Sequence, residues 1–381
     1  MNERIYLDYN ATSPVRPPVV KAMEDALLTG GNASSIHAEG REARRLIEQA
    51  RQQVCTLVGA DMAGLVFTSG GTEACNLALQ TRQAPGGKIC RLIVSAIEHA
   101  AVMAPAQASG LPVEILDVDT NGVVRLEELD RLLENPEPAL ICVMAANNET
   151  GVIQPVADIG EKARAHGSVY FCDAVQAAGK IPMGMWRMNV DMLSLSAHKI
   201  GGPSGIGALA VAPHIVTGHQ LMGGGQELSR RAGTENLAGI VGFGTAAELA
   251  CAELDQMAEL SKWRDEMEAK LKQNLPEVVI FGQNAARLPN TSCFSAPDCR
   301  AEMLVISMDL NGFAVSSGAA CSSGKVTRSH VLDAMHVEDH LSQAAIRLSL
   351  GWQSQASDGA VFVDAFAKMV GKKSESLRVG V

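Results

Sequence analysis

Asp191-Met-Leu-Ser-Leu-Ser-Ala-His198-Lys199-Ile-Gly-Gly-Pro-Ser-Gly205 places a lysine directly after a strand-like apolar run, between hydroxyl and imidazole groups on one side and a glycine-rich turn on the other. A lysine that must reach an aldehyde needs this setting. Ser196 and His198 are placed to hold an anion, and the glycines let backbone come close to a ligand. Taken alone, the stretch reads equally well as a surface lysine in a glycine loop.

Upstream, Ser168-Val-Tyr-Phe-Cys-Asp173-Ala-Val-Gln176 is an apolar run that ends in an acid. A carboxylate at the end of a buried strand is poorly solvated unless a cation faces it. The protonated ring nitrogen of pyridoxal phosphate is such a cation, and an aspartate beside it keeps the ring able to accept electrons from a breaking bond at a substrate's Cα. A helix N-cap aspartate is the alternative for Asp173. A phosphate needs a cradle, and Phe67-Thr68-Ser69-Gly70-Gly71-Thr72-Glu73-Ala74 offers one: the strand Gly64 to Phe67 feeds a turn that opens a helix, so free N–H groups and the positive helix end converge. Without the other motifs this is an ordinary strand-to-helix loop.

Apolar strand-like runs alternate with helical periodicity from about residue 15 to about 255. The spacing predicts helices over 17–28, 41–58 and 72–81 and strands over 91–95, 113–116, 139–145, 169–172 and 192–196. That alternation implies an α/β fold with a mostly parallel sheet and helices on both faces. A charged helical stretch over 251–275 then leads into shorter α+β elements. With 381 residues the chain exceeds what one core usually holds, about 250 to 300 residues, so two domains are expected.

A net charge of −10 and the lack of a basic tract argue against nucleic acid as a partner. The start, Met1-Asn-Glu-Arg-Ile-Tyr, has no apolar signal core, and no apolar run approaches the roughly 20 residues of a membrane span, so a cytoplasmic location is expected. Nine cysteines form no Cys-x-x-Cys pair, which argues against disulfide frameworks and zinc, and no metal is expected. Most sit in apolar runs as small hydrophobes. Cys321, in Ser316-Ser-Gly-Ala-Ala-Cys-Ser-Ser-Gly-Lys325, has no bulky neighbour to bury it, and a nucleophilic role is expected there.

Further segments extend the pattern: Tyr6-Leu-Asp-Tyr-Asn10-Ala-Thr12, Gly31-Asn-Ala-Ser-Ser-Ile-His37, Glu98-His99, Asn147-Asn148-Glu149 and Gly223-Gly-Gly-Gln226 to Arg231-Ala-Gly-Thr234 occur in order with those above. Together they resemble the NifS/IscS-type cysteine desulfurases of the class V aminotransferase group, over nearly the whole chain. Ala33, where the family often has proline, and Thr150, where it often has isoleucine, depart from the pattern and are read as changes of loop shape.

The resemblance implies a pyridoxal phosphate enzyme of fold type I, with a large cofactor domain over 14–255 and a smaller α+β domain from 1–13 and 256–381, assembled as a homodimer. It also implies residue roles. Lys199 joins the cofactor covalently and moves a proton at Cα; Asp173 holds the pyridinium; Gln176 bonds the phenolic oxygen; His99 stacks on the ring and shuttles protons. Gly71, Thr72, Ser196 and His198 bind phosphate, and Thr234 reaches a phosphate oxygen in the neighbouring subunit. Asn148 contacts cofactor and substrate, and Arg347 offers a planar fork to the substrate carboxylate, a surface ion pair being its alternative. Cys321 then attacks the sulfur of L-cysteine, alanine leaves, and the persulfide is emptied by an acceptor such as an iron–sulfur scaffold or a sulfur carrier. Because that thiol must reach both substrate and surface, mobility is expected around residues 317 to 327. The ending at Val381, without the longer tail of housekeeping members, leaves the acceptor open. A selenocysteine lyase or another class V aminotransferase-type enzyme is the alternative activity.

Overall fold

The structure, a computed structural model, describes residues 4–296, 299–318 and 328–378. Its main sheet has seven strands: β1 (Leu65–Thr68), β2 (Arg91–Ser95), β3 (Val113–Leu116), β4 (Ala139–Cys142), β5 (Val169–Asp173), β6 (Met192–Ser196) and β7 (Gly207–Val211). Their order is β1-β7-β6-β5-β4-β2-β3. Every neighbouring pair from β3 across to β6 is parallel, and β7 runs antiparallel to both β6 and β1. The inner strands are buried along their whole length, which is why 92–94, 139–142 and 169–172 read as continuous apolar runs; in Met192–Ser196 two buried serines interrupt the run. Edge strand β3, Val-Glu-Ile-Leu, is only partly covered.

The parallel ladder brings Asp173 and Ser196 to one edge of the sheet, and β7 adds Thr68 to that edge because Gly207 stands opposite both Ser196 and Thr68. Ligands in open α/β sheets bind outside this carboxyl edge.

The three expected helices are present, with shifted ends. Pro17–Thr29 begins on two prolines, which suit a first helical turn. Ala38–Val58 starts earlier than the periodicity suggested because His37 Nδ1 caps the N–H of Gly40. Gly71–Ala78 ends earlier, since Gln80 and Thr81 bond back only three residues. Strand β4 stops at Cys142 rather than 145; the Met144 N–H turns instead to the buried Glu98 carboxyl. The charged stretch belongs to a pair of helices, Leu237–Ala252 and Leu254–Asn274, that meet at Glu253 with a 66° bend. Among the described residues no single helix is long and apolar enough to cross a membrane.

A second sheet is wholly antiparallel, in the order Val279–Ile280, Thr291–Ser295, Ala345–Ser349, Ser316–Ser317. It has its own apolar cluster around Phe294, Phe362 and Phe366, whose rings pack with centroids 5.5 Å apart for Phe294–Phe366 and for Phe362–Phe366. Each such ring contributes about 1.5–3 kcal/mol by burial. Leu7 is buried in this same cluster, so the N-terminal strand Ile5–Tyr6, paired with Phe313–Ala314, is anchored far from its neighbours in sequence. From there residues 8–16 cross to the carboxyl edge of the main sheet, with Ser13 N bonding His198 O at 2.8 Å and Arg16 N bonding Gly201 O at 3.0 Å.

Candidate active site

Strand β5 delivers Asp173 with its side chain almost fully buried. Its Oδ1 accepts from Ser194 Oγ at 2.8 Å, across the β5–β6 register, and from Val175 N at 3.0 Å. The aspartate thus caps its own turn, as the alternative sequence reading allowed, yet it makes no ion pair among the described residues and lines a cavity. A buried carboxylate in that position calls for a cation.

Lys199 follows β6 in the short turn Ala197–Lys199. Its Nζ donates to the carbonyls of Asn10 at 2.5 Å and Ala11 at 2.9 Å, so the crossing N-terminal segment holds it in place. Burial, with Arg347 nearby, pulls the lysine down to about 8 against the opposing pull of Asp8 and Asp173. A fraction of the amine is therefore neutral, and nucleophilic, near neutral pH. His198 is pulled down to about 4 by burial and by Lys199, so it faces the site uncharged; its Nδ1 lies 3.2 Å from Thr12 Oγ1.

The helix Gly71–Ala78 points its N-terminus at the same space, and no side chain caps it. Its first N–H groups are open to an anion, helped by the helix dipole. The backbone needs glycine close by: a Cβ on Gly207 would lie 2.6 Å from both Gly70 C and Leu195 O, and one on Gly71 would touch Val175 Cγ2 at 3.0 Å. Glu73 ties this turn down through Ser69 and through an ion pair to Arg231 Nε at 2.9 Å.

His99 caps the helix Ala100–Ala108, its Nδ1 accepting from Ala101 N at 3.1 Å. The neutral ring consequently carries its proton on Nε2. Burial lowers its basicity, Asp173 opposes this, and Lys199 and His330 reinforce it. At the opposite end Arg347, on Ala345–Ser349, donates from Nη2 to Asp8 Oδ1 at 2.8 Å and from Nη1 to Asn148 O at 3.1 Å. Its Nε is buried without a partner among the described residues. The side chain is only 9% exposed, which corrects the alternative of a surface ion pair.

All these groups line one cavity of ≈ 410 Å³, within the range of small-molecule and cofactor sites. Of the residues expected from sequence, it gathers Gly71, Thr72, His99, Asn148, Asp173, Gln176, Ser196, His198, Lys199 and Arg347. Thr234 is exposed and does not line it. Cys321, and most of the segment expected to be mobile, lie outside the described residues. The donor set suits pyridoxal phosphate: an uncapped helix end with hydroxyls for the phosphate, a lysine of lowered basicity for the aldehyde, and a buried acid without an ion-pair partner among the described residues for the ring nitrogen.

Sequence reasoning missed Asn10, which links the site to the second sheet: its main chain accepts from Lys199 and Gln176, and its side chain bonds Lys180, Asn148, Thr291 and Asn290. It also missed Asp8 and Ser316, which meet at 2.9 Å beside Arg347. The motif Asp8-Tyr-Asn10 carried the signal, without indicating what the segment touches. Cys75 lines the cavity as well, but burial and Asp173 push its thiol well above the ordinary range, so it is no nucleophile. No cluster of metal ligands occurs among the described residues.

The family model for aminotransferase class-V matches residues 5–362. The chain belongs to this family. Among its relatives, a cysteine desulfurase IscS of Dictyoglomus turgidum is 38% identical over 378 residues, spanning 98% of this chain and 96% of the relative. A NifS-like protein from Rickettsia africae superimposes with a TM-score of 0.88 at 34% identity, covering 96% of this chain and 99% of that one. A structure of SspA in complex with cysteine aligns with a TM-score of 0.77 and 31% identity over 91% of this chain and 98% of the other. Within the class-V aminotransferases the chain is therefore a cysteine desulfurase, with the α/β architecture of the pyridoxal phosphate enzymes of fold type I. Members of this group depend on pyridoxal phosphate.

Proposed function

We propose that this desulfurase binds pyridoxal phosphate in the 410 Å³ cavity and L-cysteine beside Arg347, passes the substrate sulfur to Cys321, and releases L-alanine. The observation that carries the reading is the convergence of Lys199, Asp173 and the open N-terminus of Gly71–Ala78 on that one space. When bound, the cofactor supplies an electron sink for the pair released at the substrate Cα.

The chain's own groups do the rest. Asp173, set by Ser194 and the Val175 N–H, keeps a proton on the ring nitrogen. Thr72, Ser196, His198 and the helix N–H groups hold phosphate. Lys199 Nζ would hold the cofactor aldehyde and, as a free amine, would move the Cα proton, steered by the Asn10 and Ala11 carbonyls. His99, with its proton on Nε2, lines the cavity and would offer the bound cofactor a second proton route. Arg347 takes the substrate carboxylate, its unpartnered Nε adding to the fork. The Cys321 thiolate forms an S–S bond to the substrate sulfur as the C–S bond breaks; the carbon keeps that electron pair, gains a proton, and alanine departs.

The division into a large domain over 14–255 and a smaller one from 1–13 and 256–381 belongs to this reading. So does a homodimer in which exposed Thr234 reaches the partner's phosphate, and a protein acceptor, an iron–sulfur scaffold or sulfur carrier, that empties the persulfide. The deciding experiment adds pyridoxal phosphate, L-cysteine and a dithiol reductant, which empties the persulfide as sulfide, to wild type, Lys199→Ala and Cys321→Ala and follows visible absorption, sulfide and alanine. Wild type is coloured and makes both products; Lys199→Ala loses the colour of the covalently held cofactor; Cys321→Ala keeps it and makes no sulfide. Full desulfuration by Cys321→Ala would overturn the role of that thiol.

A further inference from the structure

We infer that Lys180 is a positioning residue: it dictates which way the side-chain amide of Gln176 faces, so that Gln176 presents an N–H, and not its carbonyl, to an anionic ligand oxygen in the cavity. This rests on the cofactor reading above, in which that oxygen is the phenolic one of pyridoxal phosphate.

Lys180 is 4% exposed, and its Nζ donates to Gln176 Oε1 and to Asn10 Oδ1, both at 2.8 Å. It makes no ion pair with an acid among the described residues. Burying an ammonium on two neutral oxygens costs desolvation that its hydrogen bonds offset only in part. The amide orientations follow from the partners. Asn10 Nδ2 faces the Asn148 carbonyl at 3.3 Å and Thr291 Oγ1 at 2.9 Å, so the atom toward Lys180 is the oxygen. Gln176 Nε2 faces the Asn10 carbonyl at 3.0 Å, so again the oxygen is toward Lys180. One N–H of Gln176 is used on that carbonyl, and the other remains for the cavity the residue lines.

Burial, reinforced by Lys199 and Arg347, pushes the Lys180 ammonium well below its ordinary value. The polarity survives in either form, because a neutral amine still has two N–H donors and both contacts are oxygens. Without Lys180, Gln176 Oε1 would be buried without a donor, and rotating the amide would relieve it by turning the carbonyl into the cavity, against an anion.

The test is a double-mutant cycle on the full chain, stripped of cofactor and titrated with pyridoxal phosphate, reading the dissociation constant and the absorption maximum of the bound cofactor. Lys180→Met and Gln176→Ala are each expected to weaken binding about tenfold, the worth of one lost hydrogen bond to a charged acceptor, and to move the maximum in the same direction. The double variant should bind within about twofold of Gln176→Ala, because both changes remove one interaction. Lys180→Arg, which keeps donors, should restore the maximum. Unaltered binding by Lys180→Met, or losses that multiply to about a hundredfold in the double variant, overturns the assignment.

Should Lys180→Met melt too low to titrate, Gln176→Glu serves: its carboxylate keeps Lys180 partnered yet offers no N–H to the cavity, so binding must weaken. Wild-type affinity in Gln176→Glu would equally overturn the idea. Failure of wild type itself to bind pyridoxal phosphate would instead remove the cofactor reading.

Discussion

Replacing Glu227 with alanine takes from a buried arginine its two-pronged partner and leaves it only the partly exposed Glu48 as a counter-charge. Arg51 and Glu227 form a two-pronged ion pair, Nη2–Oε1 at 2.8 Å and Nη1–Oε2 at 3.0 Å, with side chains 5% and 3% exposed. Glu227 Oε2 also accepts from Phe67 N at 2.7 Å, while Arg51 donates to Leu65 O at 2.7 Å and lies over the Phe67 ring. Removing one partner of a buried pair costs about 3–5 kcal/mol where the other charge stays behind without compensation; Arg51 keeps Glu48 at 3.1 Å from its Nε, so a loss at the lower end, about 3 kcal/mol, is expected. Against a total stability of about 5–15 kcal/mol this is a large fraction. Backbone strain does not confound the figure, since Glu227 already sits at φ +44° and alanine inherits the same conformation. The double variant Arg51→Met/Glu227→Met, apolar on both sides, should recover most of the loss, short of the acceptor for Phe67 N. Urea unfolding of the cofactor-free protein, followed by circular dichroism, measures it. Phe67 leads into the phosphate turn, and Glu227 precedes the segment that holds Arg231 on Glu73, so cofactor affinity should fall as well. A loss below about 1 kcal/mol for Glu227→Ala would refute the reasoning.

Four further expectations follow from the same geometry. Since Lys199 reacts as the free amine and is held at about 8, the rate of covalent attachment of pyridoxal phosphate should rise about fivefold from pH 7 to pH 8 and less than about twofold beyond, by stopped-flow absorbance; a rise continuing to pH 10 would show an unperturbed lysine. In the same interval the unfolded chain keeps the lysine proton up to its ordinary 10.5 while the native chain has released it, so the cofactor-free protein gains stability as pH climbs from about 8 to 10.5. Asp8→Ala removes the acceptor that aligns Arg347 and should raise KM for L-cysteine about tenfold with a smaller change in kcat; an unchanged KM would show that Arg347 needs no such alignment. Gly207→Ala places a methyl group 2.6 Å from Gly70 and Leu195 backbone and should cost about 1–3 kcal/mol in urea unfolding, together with weaker phosphate binding; wild-type behaviour would mean that the turn yields freely.

The parallel core of the fold was readable because strands buried on both faces are largely apolar, as Ala139–Cys142 is throughout and Val169–Asp173 is up to its final acid. Lys199, Asp173 and the Ser69-Gly70-Gly71-Thr72 turn were readable for a related reason: each is a polar break at the end of such a run, and a strand's carboxyl end is where this architecture exposes chemistry. Ends of elements were less legible. Whether Ala38 joins its helix depends on a cap from His37, and whether 143–145 stay in the strand depends on Glu98, more than forty residues away.

Sequence alone determined that a lysine, an acid and a glycine turn follow apolar strands in an alternating α/β chain, because hydrophobic periodicity and local turn chemistry are written in neighbouring residues. Tertiary structure alone decided that Asn10 sits under Lys199, that Asp8 and Ser316 meet at Arg347, and that Lys180 is buried on the oxygens of Asn10 and Gln176. Those contacts join segments up to 339 residues apart. The desolvation that lowers a lysine or turns an amide depends on what packs around it in space, and one-dimensional pattern holds no record of that.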